Sequence, residues 1–101
     1  MLLVKPKKKP EVMEIEDTLE SLQKMVGGYI EVVYPFDDPV GLIVNEEGKI
    51  LKLPPDRALK DCNGKIYDII FGDFLITGLT EENFGSLSDE LIEKYTKFFY
   101  F

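Results

Sequence analysis

Residues 17–34 read DTLESLQKMVGGYIEVVY, a stretch that changes from helical to extended patterning and so indicates the fold class. Asp17 followed three positions later by Glu20 is the capping-box pattern of a helix start. Gly27 and the glycine after it supply a helix stop. Residues 29–34 are rich in β-branched and aromatic side chains, which favour a strand. Four apolar side chains of the helical part share one face, namely Leu19, Leu22, Met25 and Val26.

The rest of the chain divides into short apolar or alternating runs separated by Pro, Gly and Asn. Further strands are predicted at residues 1–5, 11–16, 40–44, 49–53, 65–71 and 74–77. Residues 1–16 and 40–53 each read as a hairpin, and Gly48 is available for a positive φ in the second turn. Residues 54–60 follow a turn and predict about one helical turn. Asn63 and the following glycine predict a tight turn, and Gly72 either joins two paired strands or breaks one strand.

A second helix closes the chain from Ser86 or Ser88. Its acidic first turn and basic last turn suit the helix dipole. Its predicted buried face carries Leu87, Leu91, Tyr95 and Phe98. The pattern therefore predicts a single α+β domain over residues 1–101, in which five or six mostly antiparallel strands form a sheet and both helices pack on one face.

Composition argues against catalysis and favours binding. The 101 residues include no His and no Trp, and the single cysteine, Cys62, is predicted to be a free thiol. General acid–base chemistry and metal binding thus lack their commonest residue, so we predict a non-enzymatic protein without cofactor or metal. No apolar run approaches the ~18 residues of a membrane span, and the short N-terminal run lacks the pattern of a signal peptide.

Charge is divided unevenly along the chain. The first ten residues hold four lysines and no acid, whereas the other ninety-one hold 8 basic and 19 acidic side chains, a net charge of −11. An acidic body disfavours direct contact with nucleic acid, which needs Lys and Arg along the phosphates. It suits a protein partner with a basic surface. The predicted partner-binding residues combine acids with aromatic anchors: Glu31, Tyr34, Phe36, Asp37, Asp38, Glu46 and Glu47.

Two alternatives stay open. A small anionic ligand such as a nucleotide would be sequestered by basic residues at a cleft, namely Lys7, Lys8, Lys9 and Arg57. Asp56 and Arg57 either line a pocket rim, or Asp56 satisfies local backbone amides while Arg57 pairs with a nearby acid. A general protein-interaction module is the third hypothesis. The aromatic residues 98–101 either dock on the domain itself or form a homodimer contact.

Three segments together resemble one uncharacterised family, the domain of unknown function 3846: residues 19–32, residues 45–58 and residues 68–74. The resemblance extends from about Leu3 to Tyr95. It implies a small accessory protein of Firmicute phages and mobile elements, located in the bacterial cytoplasm. With the acidic body, this context predicts a counter-defence protein that inhibits a host or rival defence factor, in which carboxylates take the places meant for phosphates.

Overall fold

The computed structural model describes residues 1–79 and 84–100, so the acidic loop residues Glu81 and Glu82 and the terminal Phe101 lie outside the described residues. The elements in chain order are β1 (Leu2–Val4), β2 (Glu11–Val12), α1 (Leu19–Val26), β3 (Ile30–Val33), β4 (Val40–Asn45), β5 (Pro55–Lys60), β6 (Ile66–Phe71), β7 (Phe74–Leu79), β8 (Phe84–Gly85) and α2 (Asp89–Phe98).

The strands form two antiparallel sheets. The main sheet has the order β2-β1-β7-β4-β3, with β8 paired to the end of β7. A separate two-stranded sheet consists of β5 and β6. The predicted α+β class with a mostly antiparallel sheet is confirmed, as is the hairpin of β1 and β2, although β2 is only two residues long.

The two helices contact opposite faces of the main sheet. Side chains alternate along a strand, so Leu3, Ile43 and Leu75 point toward α1, where they pack with Leu22 and Val26. The residues next to them point the other way and pack with α2 and the β5–β6 hairpin: Leu2, Val4, Leu42, Phe74 and Ile76. The prediction that both helices share one face is therefore not confirmed. Consecutive buried residues such as Phe74 and Leu75 require cover on both faces.

The first helix forms as its sequence indicates, with a shift of one residue at its start. Thr18, not Asp17, is the N-cap, and its hydroxyl accepts a hydrogen bond from the Ser21 N–H at 3.2 Å. Gly27 ends the helix with φ 80°, a left-handed conformation that costs glycine little. The last turn carries the buried Val26, which fixes α1 on the sheet.

The segment between β4 and β6 differs from its prediction. Residues 49–53 form consecutive turns rather than a returning strand, with the Leu51 N–H bonded to the Glu47 carbonyl. Residues 55–60 form β5 rather than a helical turn, because they pair with β6 across the tight turn at Asn63. Gly48 is needed for space and not for a positive φ, since a Cβ there would lie 2.6 Å from the Phe71 carbonyl oxygen.

Gly72 separates β6 from β7 with φ 86°. The two strands do not pair, because β6 belongs to the hairpin sheet and β7 to the main sheet. The chain therefore leaves the hairpin at Gly72 and enters the centre of the main sheet.

The closing helix buries a different aromatic residue from the one predicted. Ser88 is the N-cap, and Leu87 and Tyr95 are buried as expected. Phe98, however, is 58% exposed, whereas Phe99 is 3% exposed. Phe99 lies four residues after Tyr95, to whose carbonyl its N–H bonds at 3.0 Å, so it continues the buried face of the helix. Its ring packs edge-on against Phe74 at 5.6 Å.

The two neighbouring phenylalanines provide a direct test of this arrangement. Phe99→Ala should lower the free energy of unfolding by about 3–5 kcal/mol, the usual cost of a buried Phe→Ala change. Phe98→Ala should lower it by about 1 kcal/mol or less, because its ring is largely exposed. Urea denaturation of both variants gives the comparison. A larger loss for Phe98→Ala would restore the helical face predicted from the sequence.

Candidate functional site

The predicted acidic residues are distributed along one edge of the main sheet. Among the described strands, β3 pairs only with β4, so its other side is an edge. Glu31 lies in the middle of β3 and is exposed. Glu46 lies at one end, where its N–H donates to the Tyr29 carbonyl at 2.9 Å, and Asp37 lies in the loop that follows the other end. From Tyr29 to Tyr34 the chain advances about 17 Å, at roughly 3.4 Å a residue.

A buried asparagine fixes the turn at one end of this edge. The Asn45 side chain donates to the Val26 carbonyl at 3.0 Å and accepts from the Glu47 N–H at 2.8 Å. It therefore connects the end of α1 to the turn that follows β4. The sequence predicts a turn over residues 45–48 but not this role of Asn45, because an Asn at a turn gives no signal of a bond to a distant helix end.

A cleft of about 300 Å³ lies beside Glu31, between the main sheet and the β5–β6 hairpin. Its apolar lining includes Val33, Val44, Leu59 and Ile70. Glu31, Glu46, Asp68 and Lys49 supply its charged groups. The Lys49 ammonium donates to Asp68 at 2.7 Å, and this bond lowers the pKa of the Asp68 carboxyl. Within the described residues, the carboxylates of Glu31 and Glu46 have no ion-pair partner.

The Asp37–Asp38 loop is braced by α2. Asp38 accepts hydrogen bonds from the Lys94 ammonium and, at 2.7 Å, from the Tyr95 hydroxyl. The bond from Lys94, followed by that from Tyr95, lowers the pKa of the Asp38 carboxyl. Burial, and next the Asp38 carboxylate, raise the pKa of Tyr95 above its usual range.

This bracing divides the predicted loop residues into two groups. The Phe36 ring lies 4.9 Å from the Tyr95 ring and 5.3 Å from the Phe98 ring, so it serves packing. Asp38 likewise has internal partners. Tyr34, which is 62% exposed, and the exposed Asp37 keep surfaces that a partner can contact.

Arg57 joins three segments instead of lining a pocket. Its guanidinium donates to the carbonyls of Lys5 (3.4 Å), Lys8 (2.6 Å) and Phe99 (2.9 and 3.0 Å). It also pairs with the Asp56 carboxylate at 2.8 Å, and its side chain is 10% exposed. Arg57 thus has a nearby acidic partner, as the structural alternative predicts, whereas the backbone amides predicted to bind Asp56 are not among its partners in the described residues. Lys7, Lys8 and Lys9 are exposed in the adjacent turn.

Asp56 is the most perturbed carboxyl group of the described residues. Its side chain is fully buried, and its Oδ2 atom has no hydrogen-bond partner among the residues that the structure describes. Burial raises the pKa of Asp56 to about 7; Arg57 opposes this rise and Asp73 adds to it. The Asp56 carboxyl lies beside Arg57, where the hairpin contacts the rest of the domain, and it does not line the cleft.

One surface feature has no counterpart in the sequence analysis. A groove of about 680 Å³ lies between β6 and the turns that follow β4, and its lining includes Ile66, Tyr67 and Ile69 together with Lys49 and Lys52. This groove could be predicted only from the pairing of β5 with β6. The sequence predicts a helical turn over residues 54–60, so it does not predict that pairing.

Comparison with known proteins identifies the family. The family model described as Domain of unknown function (DUF3846) matches residues 1–100, so the chain belongs to this family. Neither curated proteins nor solved structures gave a significant match. In the described part of the chain, no helix combines the length and the apolar character that crossing a membrane requires. Residues 1–79 and 84–100 also contain no group of three or more His, Cys, Asp or Glu side chains arranged to hold a metal ion.

The Asp56 carboxyl predicts an unusual pH dependence. Its pKa is about 7 in the folded protein and 3.8 in the absence of structure. Between these values the folded state holds a proton that the unfolded state has released, so the free energy of unfolding should fall as the pH rises from about 4 to about 7. Asp56→Asn removes this titration.

Urea denaturation of both proteins across this range measures the effect. The free energy of unfolding of Asp56→Asn minus that of the natural protein should increase between pH 4 and pH 7 and level off above pH 7. A constant difference throughout the range would mean that Asp56 is ionised in the folded protein at all these values.

Proposed function

We propose that this member of the family is a non-enzymatic binding protein whose acidic edge engages a basic surface of another protein. The acidic edge is defined by Glu31, Asp37, Glu46 and Glu47 beside β3. The partner class that fits best is a nucleic-acid-binding defence factor of a bacterial cell, and the binding protein inhibits it by occupying its basic groove. Carboxylates spaced along an edge can replace phosphates there, and their field accelerates encounter.

The main support for this proposal is that the carboxylates of Glu31 and Glu46 form no ion pair within the described residues. Other carboxylates near the site have internal partners, since Asp38 binds Lys94 and Asp68 binds Lys49. Glu31 and Glu46 line a cleft, and no side chain of residues 1–79 or 84–100 forms an ion pair with either of them. A cleft wall concentrates the field of its charges, and the exposed ring of Tyr34 offers an apolar anchor near the end of β3.

The alternative of a sequestered anionic nucleotide has less support. Arg57 is held by backbone carbonyls and Asp56, so its charge is directed into the protein. The cleft beside β3 carries three acids against one lysine, which repels an anion. A homodimer through the C-terminal aromatics remains a separate prediction, for which Phe98 and Tyr100 retain exposed rings.

A charge-neutralising pair tests the proposal. Glu31→Gln/Glu46→Gln should weaken binding of the basic partner about tenfold, since two exposed ion pairs contribute roughly 0.7 kcal/mol each. The control is Glu11→Gln/Glu16→Gln, which makes the same change of charge on and beside β2 at the opposite edge of the main sheet. The partner is captured from bacterial lysate on immobilised protein, identified by mass spectrometry and then purified for titration.

Binding should weaken steeply as salt rises from about 50 mM to about 200 mM, because exposed charges are screened over this range. The captured protein should also lose its nucleic-acid binding in the presence of the natural chain. Equal affinity of the two double variants, or affinity independent of salt, would rule out the acidic edge as the binding surface.

A further inference from the structure

Among the described strands, β3 is hydrogen-bonded on one side only, to β4. The register of this pair shows which residues of β3 direct their backbone N–H and C=O groups toward the open side. In an antiparallel pair, opposite residues alternate between those that exchange two hydrogen bonds and those that exchange none. The Glu46 N–H bonds the Tyr29 carbonyl, and the register places Glu31 opposite Val44. The backbone groups of Glu31 and Val33 therefore face β4, and those of Ile30 and Val32 face outward.

This edge lacks two of the usual protections against strand pairing, a proline and a bulge. Edge strands are commonly shielded by Pro, inward-pointing charges, bulges or a covering loop. β3 contains no Pro, and its register with β4 runs without a bulge. The opposite edge of the main sheet, β2, is only two residues long. The outer side of β6 is partly covered, because Gly48 lies against the Phe71 carbonyl and Lys49 binds Asp68.

The two sides of β3 differ in chemistry. Ile30 and Val32 pack with the cluster under α1, so an added strand would place apolar side chains on that face. Glu31 and Val33 face the cleft, where Glu46 also lies. An added strand would place its alternate side chains there, opposite carboxylates without partners. Strand addition of this kind draws affinity from main-chain hydrogen bonds and specificity from the alternate side chains.

We propose that β3 accepts an extended, basic segment of the partner protein as an additional antiparallel strand. The segment alternates Lys or Arg on the cleft face with apolar residues on the α1 face. This inference rests on the proposed function, because it names the part of the partner that the acidic edge binds. The antiparallel direction continues the pattern of every strand pair in the main sheet.

The register specifies which partner amides donate. A residue opposite Val32 exchanges two hydrogen bonds with it and lies on the α1 face, so the apolar residues of the segment donate to β3. The basic residues direct their amides away from β3. Methylating the amides of the apolar residues removes hydrogen bonds to β3, whereas methylating the amides of the basic residues does not. Comparing the two separates the contribution of strand pairing from that of charge.

The probe is a short synthetic peptide of alternating lysine and valine, blocked at both ends and titrated by calorimetry. Methylation of the valine amides should weaken its binding at least tenfold. Methylation of the lysine amides, with the same charge and the same number of added methyl groups, should change affinity less than threefold. No variant of the protein is needed, so loss of folding cannot produce this result.

Three other outcomes would overturn the strand proposal. Equal binding of all three peptides, with weaker binding to Glu31→Gln/Glu46→Gln, would leave the acidic edge in place without strand addition. A greater loss on lysine methylation would contradict the antiparallel register. Absence of binding by the unmethylated peptide would exclude the edge as its site, while the lysate experiment would still decide the proposed function. If methylation of the valine amides weakens binding but the Glu31→Gln/Glu46→Gln change does not, the result would support strand addition and reject the acidic edge.

Discussion

Burial of the main sheet on both faces is the constraint on which the rest of the structure depends. Phe74, Leu75 and Ile76 are consecutive residues of the central strand β7 and are all fully buried. Because neighbouring side chains point to opposite faces, α1 must cover one face, and α2 with the β5–β6 hairpin must cover the other. Each large apolar side chain so buried contributes roughly 1.5–3 kcal/mol. A partner can therefore reach unpaired backbone N–H and C=O groups of the sheet only at its edge strands.

Hydrogen bonds from Arg57, and not apolar packing alone, hold the β5–β6 hairpin in its position. Arg57 connects β5 to the turn after β1 and to the chain end at Phe99. On the other side of the same hairpin, Leu59 and Ile70 form one wall of the cleft beside β3. The hydrogen bonds of Arg57 thus help to set the shape of the cleft, although they lie outside it.

Local signals were sufficient for some elements and insufficient for others. The end of α1 and the extent of β3 follow from Gly27 and from β-branched residues, which act over a few positions. β5 was missed because Pro55 resembles a helix start, whereas its strand is stabilised by pairing with β6. Phe98 and Phe99 lie three and four residues after Tyr95, and both spacings fit one helix face, so periodicity alone does not decide which ring is buried. At the candidate site the acids were predictable, but their arrangement along one edge required the order of the strands.

The outward-facing amides of β3 test the open edge most directly. Hydrogen exchange of the free protein, followed by NMR, reports each amide separately. We expect fast exchange at Ile30 and Val32 and slow exchange at Glu31 and Val33, whose N–H groups bond β4. Slow exchange at all four amides would show that the edge is already occupied, and would contradict the claim that β3 is open to a partner strand.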